Sequence, residues 1–138
     1  FAINLYFEAI LNELNGLAWF SQTLSGALEN HFDYYAIMAY HRQAMKNRNI
    51  EVKEAIGLMD EATRKAIQEV RDPSKVLMKV WILDWKGNGA VRSDLAPRKE
   101  VEDTLTAILN RGKVSLAFVP YIDPFPIDSF KGMWTVSK

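Results

Sequence analysis

The chain has 138 residues, one domain's length, of which 49% are hydrophobic and 25% charged, and its 17 basic and 17 acidic side chains cancel to a net charge of zero. This is an ordinary globular composition without a general electrostatic footprint for nucleic acid or an anionic membrane, and no apolar run approaches the roughly 18 residues of a spanning helix. Without cysteine there is neither a disulfide framework nor a thiolate metal site, and the two histidines, His31 and His41, are too few for a metal cage.

The chain opens, without a methionine, on Phe1-Ala2-Ile3-Asn4-Leu5-Tyr6-Phe7, an apolar run of the kind buried on both faces of a parallel sheet. A protein that starts inside its own core is expected to be a piece of a longer one. After this first strand, Ala2 to Phe7, the spacing of Leu17, Phe20, Leu24 and Leu28 predicts a helix from Leu17 to Asn30. A second strand follows over Tyr34 to Ala39. A longer helix is predicted over Ile50 to Val70, where Val52, Ile56, Met59, Ala62, Ala66 and Val70 form one apolar stripe and Asp72-Pro73 stops it. The third strand is Leu77 to Leu83. The third helix starts near Pro97, turns Val101, Leu105, Ile108 and Leu109 inward, and ends at Gly112. A fourth strand, Val114 to Val119, and a short helix after Pro126 complete the series.

Strands and helices in alternation argue for parallel strands joined by right-handed crossovers, hence an α/β domain. An open doubly wound sheet would be complete at this length, whereas a closed (β/α)8 barrel of the TIM type needs roughly 250 residues, so four βα units are half of one. A doubly wound nucleotide-binding sheet also predicts a glycine-rich phosphate cradle after a strand. The segments after the strands, Glu8-Ala9-Ile10-Leu11, Tyr40-His41-Arg42 and Asp84-Trp85-Lys86-Gly87, supply none, and Gly87-Asn88-Gly89 reads as a flexible loop. No cofactor is expected.

In parallel barrels the site lies at the carboxyl ends of the strands. Those ends carry Asn4, Tyr6 and Glu8, then Tyr40, His41 and Arg42, then Asp84 and Trp85, then Tyr121 and Asp123. Aromatic faces stack on pyranose rings while amides, carboxylates and guanidinium bond the hydroxyls, so this is a set suited to an oligosaccharide. Asp84 and Asp123, on adjacent strand ends, are the candidate acid groups, since glycoside hydrolysis needs two carboxylates about 5 to 9.5 Å apart. The plainer alternatives are aromatics that close the top of the core, a solvated Glu8, and a His41 bonded to backbone.

With the strand ends laid out, the chain resembles the C-terminal domain of the periplasmic poly-beta-1,6-N-acetyl-D-glucosamine N-deacetylases, a glycoside-hydrolase-like barrel of biofilm exopolysaccharide systems. Asn4-Leu5-Tyr6 looks like that family's Arg-Asn-Leu-Tyr strand end, and Ala18-Trp19-Phe20-Ser21-Gln22 like its Ala-Trp-Phe-Ala-Gln helix start. Asp33-Tyr34-Tyr35-Ala36-Ile37-Met38-Ala39 is similar to its Asp-Tyr-x-Ala-Ile-Met-Ala strand, and Asp84-Trp85 to an Asp-Trp that closes the next. The resemblance covers Phe1 to about Phe130 and implies strands five to eight of the barrel, a cleft for partly deacetylated polyglucosamine, and a periplasmic or outer-membrane-associated place. It also implies that the piece alone is inactive, because the family's catalytic acid lies on an earlier strand. Departures stand beside it. Lys79 and Trp81 replace an acid and an amide, His41-Arg42-Gln43 replaces a Met-Pro-Tyr-Met type of loop, and Pro120-Tyr121-Ile122-Asp123 stands where the family often has Pro-Asp-Asp-Phe. The alternatives are a non-catalytic polysaccharide-binding module and a self-standing doubly wound domain with another small ligand. As half a barrel, the chain needs either its missing N-terminal half or a copy of itself as partner, because open edge strands and an apolar inner face invite association.

Overall fold

The computed structural model describes residues 1–11, 24–86 and 89–119 and builds an α/β domain on a parallel sheet. Strand β1 (Ala2–Tyr6) runs straight into a short helix α1 (Phe7–Ile10), and α2 (Leu24–Leu28) precedes β2 (Tyr34–Ala39). Two helices follow, α3 (His41–Arg48) and α4 (Val52–Val70), then a 3-10 turn over Pro73–Lys75 and β3 (Val76–Trp81). A hairpin of β4 (Leu83–Lys86) and β5 (Gly89–Leu95) leads into α5 (Arg98–Leu109) and the last described strand, β6 (Ser115–Val119).

The four parallel strands lie in the order β1-β2-β3-β6, which is their order along the chain. Doubly wound sheets bind their ligands where strand order reverses, and the described strands contain no such point. Register is tight across the sheet: Asn4 lies opposite Ala36 and Ala36 opposite Leu77, while Tyr6, Met38, Lys79 and Ala117 form the row above.

Alternation along these strands sets two faces. On one, Leu5, Tyr35, Ile37, Ala39, Val76, Met78 and Val80 are buried in the core. On the other, Asn4 and Tyr34 are exposed, and Met38, Leu77, Lys79 and Trp81 are half-buried. Helix α4 anchors the helical layer, packing against α1, α2, α3, α5 and β3. Its inward stripe is small, with Ala55, Ala62 and Ala66 around a fully buried Met59, so neighbouring backbones approach closely. Thr63 is buried at no polar cost because its hydroxyl donates to the Met59 carbonyl at 2.7 Å.

The long helix keeps its predicted extent to within two residues, and its start is explained by a capping box. The Glu51 amide donates to the Glu54 carboxylate at 3.2 Å while the Glu51 side chain caps the first turn. Arg71 ends it in the left-handed region, φ 63°, and Asp72 then accepts from the Ser74 amide at 3.0 Å to close the turn into β3.

Two corrections follow. The sequence places Tyr40-His41-Arg42 at a strand end followed by loop, yet His41 and Arg42 are the first residues of α3, a helix the apolar pattern does not announce. Only Ala44 and Met45 are apolar within its eight residues, so its stability comes from packing against α4. Likewise the predicted strand Leu77 to Leu83 ends at Trp81. Ile82 breaks the ladder, its amide bonding the Val119 carbonyl at 2.9 Å, and Leu83 opens the antiparallel hairpin with a bulge at Leu83/Asp84. Of the segment read as a flexible loop from Gly87 to Gly89, Gly89 opens β5 and pairs with Lys86, and residues 87 and 88 lie outside the described set. Ala96 returns to Ile82, amide to carbonyl at 2.9 Å, so both feet of the hairpin meet at one residue. Among the described residues no helix is long and apolar enough to cross a membrane.

Candidate functional site at the strand ends

Two groups of side chains gather where the parallel strands end. The first is aromatic. Tyr40, directly after β2, and Trp81, the last residue of β3, stand on neighbouring strands with ring centroids 5.0 Å apart and planes inclined at 52°. Tyr6 ends β1 on the same side of the sheet, one register row below. Burial pushes the Tyr40 hydroxyl above its ordinary pKa of 10.0, and the neighbouring Tyr6 adds to the push, so Tyr40 is a neutral hydrogen-bonding phenol throughout the physiological range. On the same face, Lys79 Nζ donates to Asn4 Oδ1 at 3.1 Å, reaching from β3 to β1 across the stretch of β2 between Ala36 and Met38.

The second group is charged and centres on Arg42. Its Nε donates to Glu100 Oε2 at 2.8 Å and its Nη2 to Glu100 Oε1 at 2.9 Å, a bidentate fork, while Nη1 donates to Asp84 Oδ1 at 2.8 Å. One guanidinium thus ties α3 to the first turn of α5 and to the hairpin. A cation in the first turn of a helix opposes the macrodipole, and α3 carries no acidic residue there of its own; Glu100 and Asp84 supply the missing negative charge from other elements. Glu100 in turn sits in the first turn of α5, where the dipole favours a carboxylate.

His41, fully buried, completes the cluster with Nε2 at 3.2 Å from Glu100 Oε2. An ionised carboxylate only accepts, so Nε2 carries the proton. The other ring nitrogen, Nδ1, meets no hydrogen-bond partner among the described residues. Burial works against the charged form of Glu100, but the hydrogen bond from His41 and the charge and hydrogen bonds of Arg42 outweigh it and hold the carboxyl below its ordinary 4.5. The cluster is thus a hydrogen-bonded brace in which Arg42 and His41 converge on Glu100, with His41 Nδ1 left over. Among the described residues no group of three or more His, Asp or Glu side chains is placed to hold a metal ion.

The structure brings Asn4, Tyr6 and Tyr40 onto one face and gathers His41, Arg42 and Asp84 into the other group. Asp84 stands on the hairpin rather than at a parallel strand end, with its Oδ1 on Arg42. Glu8 is half-buried in the first turn of α1. Trp85 pairs with Ala90 in the hairpin, its side chain lying outside the described set, and Tyr121, Asp123, the Ala18 to Gln22 run and the helix after Pro126 lie outside it altogether. Glu100 is the site residue that the strand-end rule does not find, because it arrives from the far side of a crossover. Its signal is local: an acid three residues after Pro97, at the third position of a helix that Pro97 starts.

Comparison of the chain with family models gives no match, and comparison with curated proteins gives none either.

Proposed function

We propose that the chain is the C-terminal half of a (β/α)8 barrel and that it binds an exopolysaccharide of the poly-N-acetylglucosamine type at the carboxyl ends of its strands. The observation that carries this is the Tyr40 and Trp81 pair, two large rings on adjacent parallel strands at the end where barrel sites form. A strand order without a reversal among the described residues, and a half-exposed second sheet face, support the half-barrel over a doubly wound domain. The resemblance to the poly-beta-1,6-N-acetyl-D-glucosamine N-deacetylases supports the saccharide class, a periplasmic or outer-membrane-associated setting, and a partner that completes the barrel. Its runs Asn4-Leu5-Tyr6 and Asp33 to Ala39 fall on β1 and at β2.

Binding, rather than hydrolysis, is the role this geometry favours. Asp84 and Glu100 are both engaged by Arg42, so neither is presented as a free acid to a glycosidic oxygen, and a hydrolytic pair would have to come from elsewhere. Titration of the chain with N-acetylglucosamine oligomers, followed by tryptophan fluorescence and calorimetry, tests the proposal. Saturable binding that is lost in Trp81→Ala and weakened in Tyr40→Ala, with both variants folded by circular dichroism, is expected. Binding that is absent from the folded parent chain, or unchanged in both variants, overturns it.

A further inference from the structure

The second sheet face carries a charge that no carboxylate pairs among the described residues. Lys79 is the charged member of the row Tyr6, Met38, Lys79, Ala117, one step below Tyr40 and Trp81. Its stem is half-buried and its ammonium donates to Asn4 Oδ1, a neutral acceptor that uses one of three N–H donors. Among the described residues no carboxylate forms an ion pair with Lys79. At this end of the sheet Asp84 and Glu100 are both held by Arg42. The hydrogen bond from Lys79 to Asn4 lies at the exposed surface, so water meets the ammonium's remaining donors and a carboxylate arriving with a ligand can replace that water in a charge-assisted hydrogen bond.

We infer that Lys79 sets the charge preference of the proposed saccharide cleft, selecting sugars that bear a carboxylate on the ring or on an acyl substituent over sugars with free amines. The inference rests on the saccharide reading. Two residues along a strand span about 6.6 Å, so a ring stacked on Tyr40 and Trp81 has its substituents within reach of the Lys79 ammonium. Asn4 holds that ammonium on the face by one hydrogen bond and leaves its other donors for the carboxylate. A free glucosamine amine in the same position would meet like charge.

The test compares an oligogalacturonate, an N-acetylglucosamine oligomer and a glucosamine oligomer of equal length against the full chain at low salt, read by tryptophan fluorescence. The acidic oligomer is expected to bind about tenfold more tightly than the neutral one, with the cationic oligomer weakest. That preference should shrink to within about twofold in Lys79→Met, and also in the parent at about 1 M salt, where the screening length is about 3 Å. Lys79→Arg, which keeps the charge on a similar stem, should retain it and serves as the folded control. Equal or tighter binding of the neutral oligomer, or a preference that survives Lys79→Met, overturns the inference while leaving a saccharide cleft standing. If none of the three binds, the saccharide reading falls and takes the inference with it.

Discussion

Replacing Glu100 by glutamine removes the charge that three donors share and keeps the side chain's size, so it isolates the electrostatic value of the Arg42 brace. The side chains of Arg42 and Glu100 are only 14% and 17% exposed, which limits solvent screening. At an effective dielectric of about 20, charges about 4 Å apart interact by about 4 kcal/mol, an upper bound before desolvation is counted. Hydrogen bonds to charged groups contribute about 1.5–3 kcal/mol net, and the glutamine carbonyl still accepts one of them. The expected loss is therefore about 2–3 kcal/mol, or about 6–15 °C in Tm for a domain of this length. Arg42→Met should cost more, about 3–5 kcal/mol, because it leaves Glu100 and Asp84 facing each other without their shared cation. The double variant, Arg42→Met with Glu100→Gln, should cost about 1–3 kcal/mol less than the sum of the singles. Urea unfolding followed by far-ultraviolet circular dichroism measures all three. A Glu100→Gln chain within about 0.5 kcal/mol of the parent, together with additive energies in the double variant, would refute the claim that this brace is a coupled and stabilising unit.

Other expectations follow from the same geometry. Because the folded Glu100 carboxyl titrates below its ordinary 4.5, its contribution is complete above the unfolded carboxyl range and is lost as pH falls through the folded value; unfolding free energy should decline below pH 4.5, and the decline should be shallower in Glu100→Gln. Met59, fully buried on α4, should cost about 2–5 kcal/mol as Met59→Ala in the same urea assay, and a loss under about 1 kcal/mol would contradict its placement at the centre of the core. Gly57, exposed within α4, has nothing within 4 Å of an added Cβ, so Gly57→Ala should raise stability by about 0.5–1 kcal/mol; a fall would mean that the groove it shares with Asp60 and Arg111 is not open. Exposed Tyr34 and the edge of β1, unpaired among the described residues, should make the chain self-associate as concentration rises, and light scattering that reports a monomer at every concentration would count against the half-barrel.

The parallel strands were legible because apolar content and alternation act over five or six residues, a range the sequence records directly. Val76, Met78 and Val80 alternate with Leu77, Lys79 and Trp81, and burial follows that alternation residue by residue. Helix α4 was legible for the same reason. What escaped were elements ordered by their partners rather than by an apolar pattern of their own. Helix α3 has almost no apolar stripe, and β5 reads as mixed polar chain because its order comes from pairing with β4. At the strand ends, the positions of Tyr6 and Tyr40 follow from the strand pattern, but the grouping of His41, Arg42 and Asp84 does not. That Arg42 spends its donors on Glu100 and Asp84, residues 58 and 42 positions away, is a tertiary fact that no local spacing encodes. This is also why Asp84, a candidate acid in the sequence, is found in space as a partner of Arg42.

The hairpin whose two feet meet at Ile82 is, in polymer terms, an already closed loop. Ile82 bonds outward to Val119 and back to Ala96, so the closure is made at the base and the rest of the arm hangs beyond it. Lengthening such an arm between Lys86 and Gly89 adds only about 0.6 kcal/mol of closure entropy per doubling, and it leaves the spacing between β3 and β6 untouched. The crossover from the third parallel strand to the fourth is thus a place where reach can evolve independently of the sheet. An arm that carries Asp84 at its base keeps its grip on Arg42 however far its tip extends.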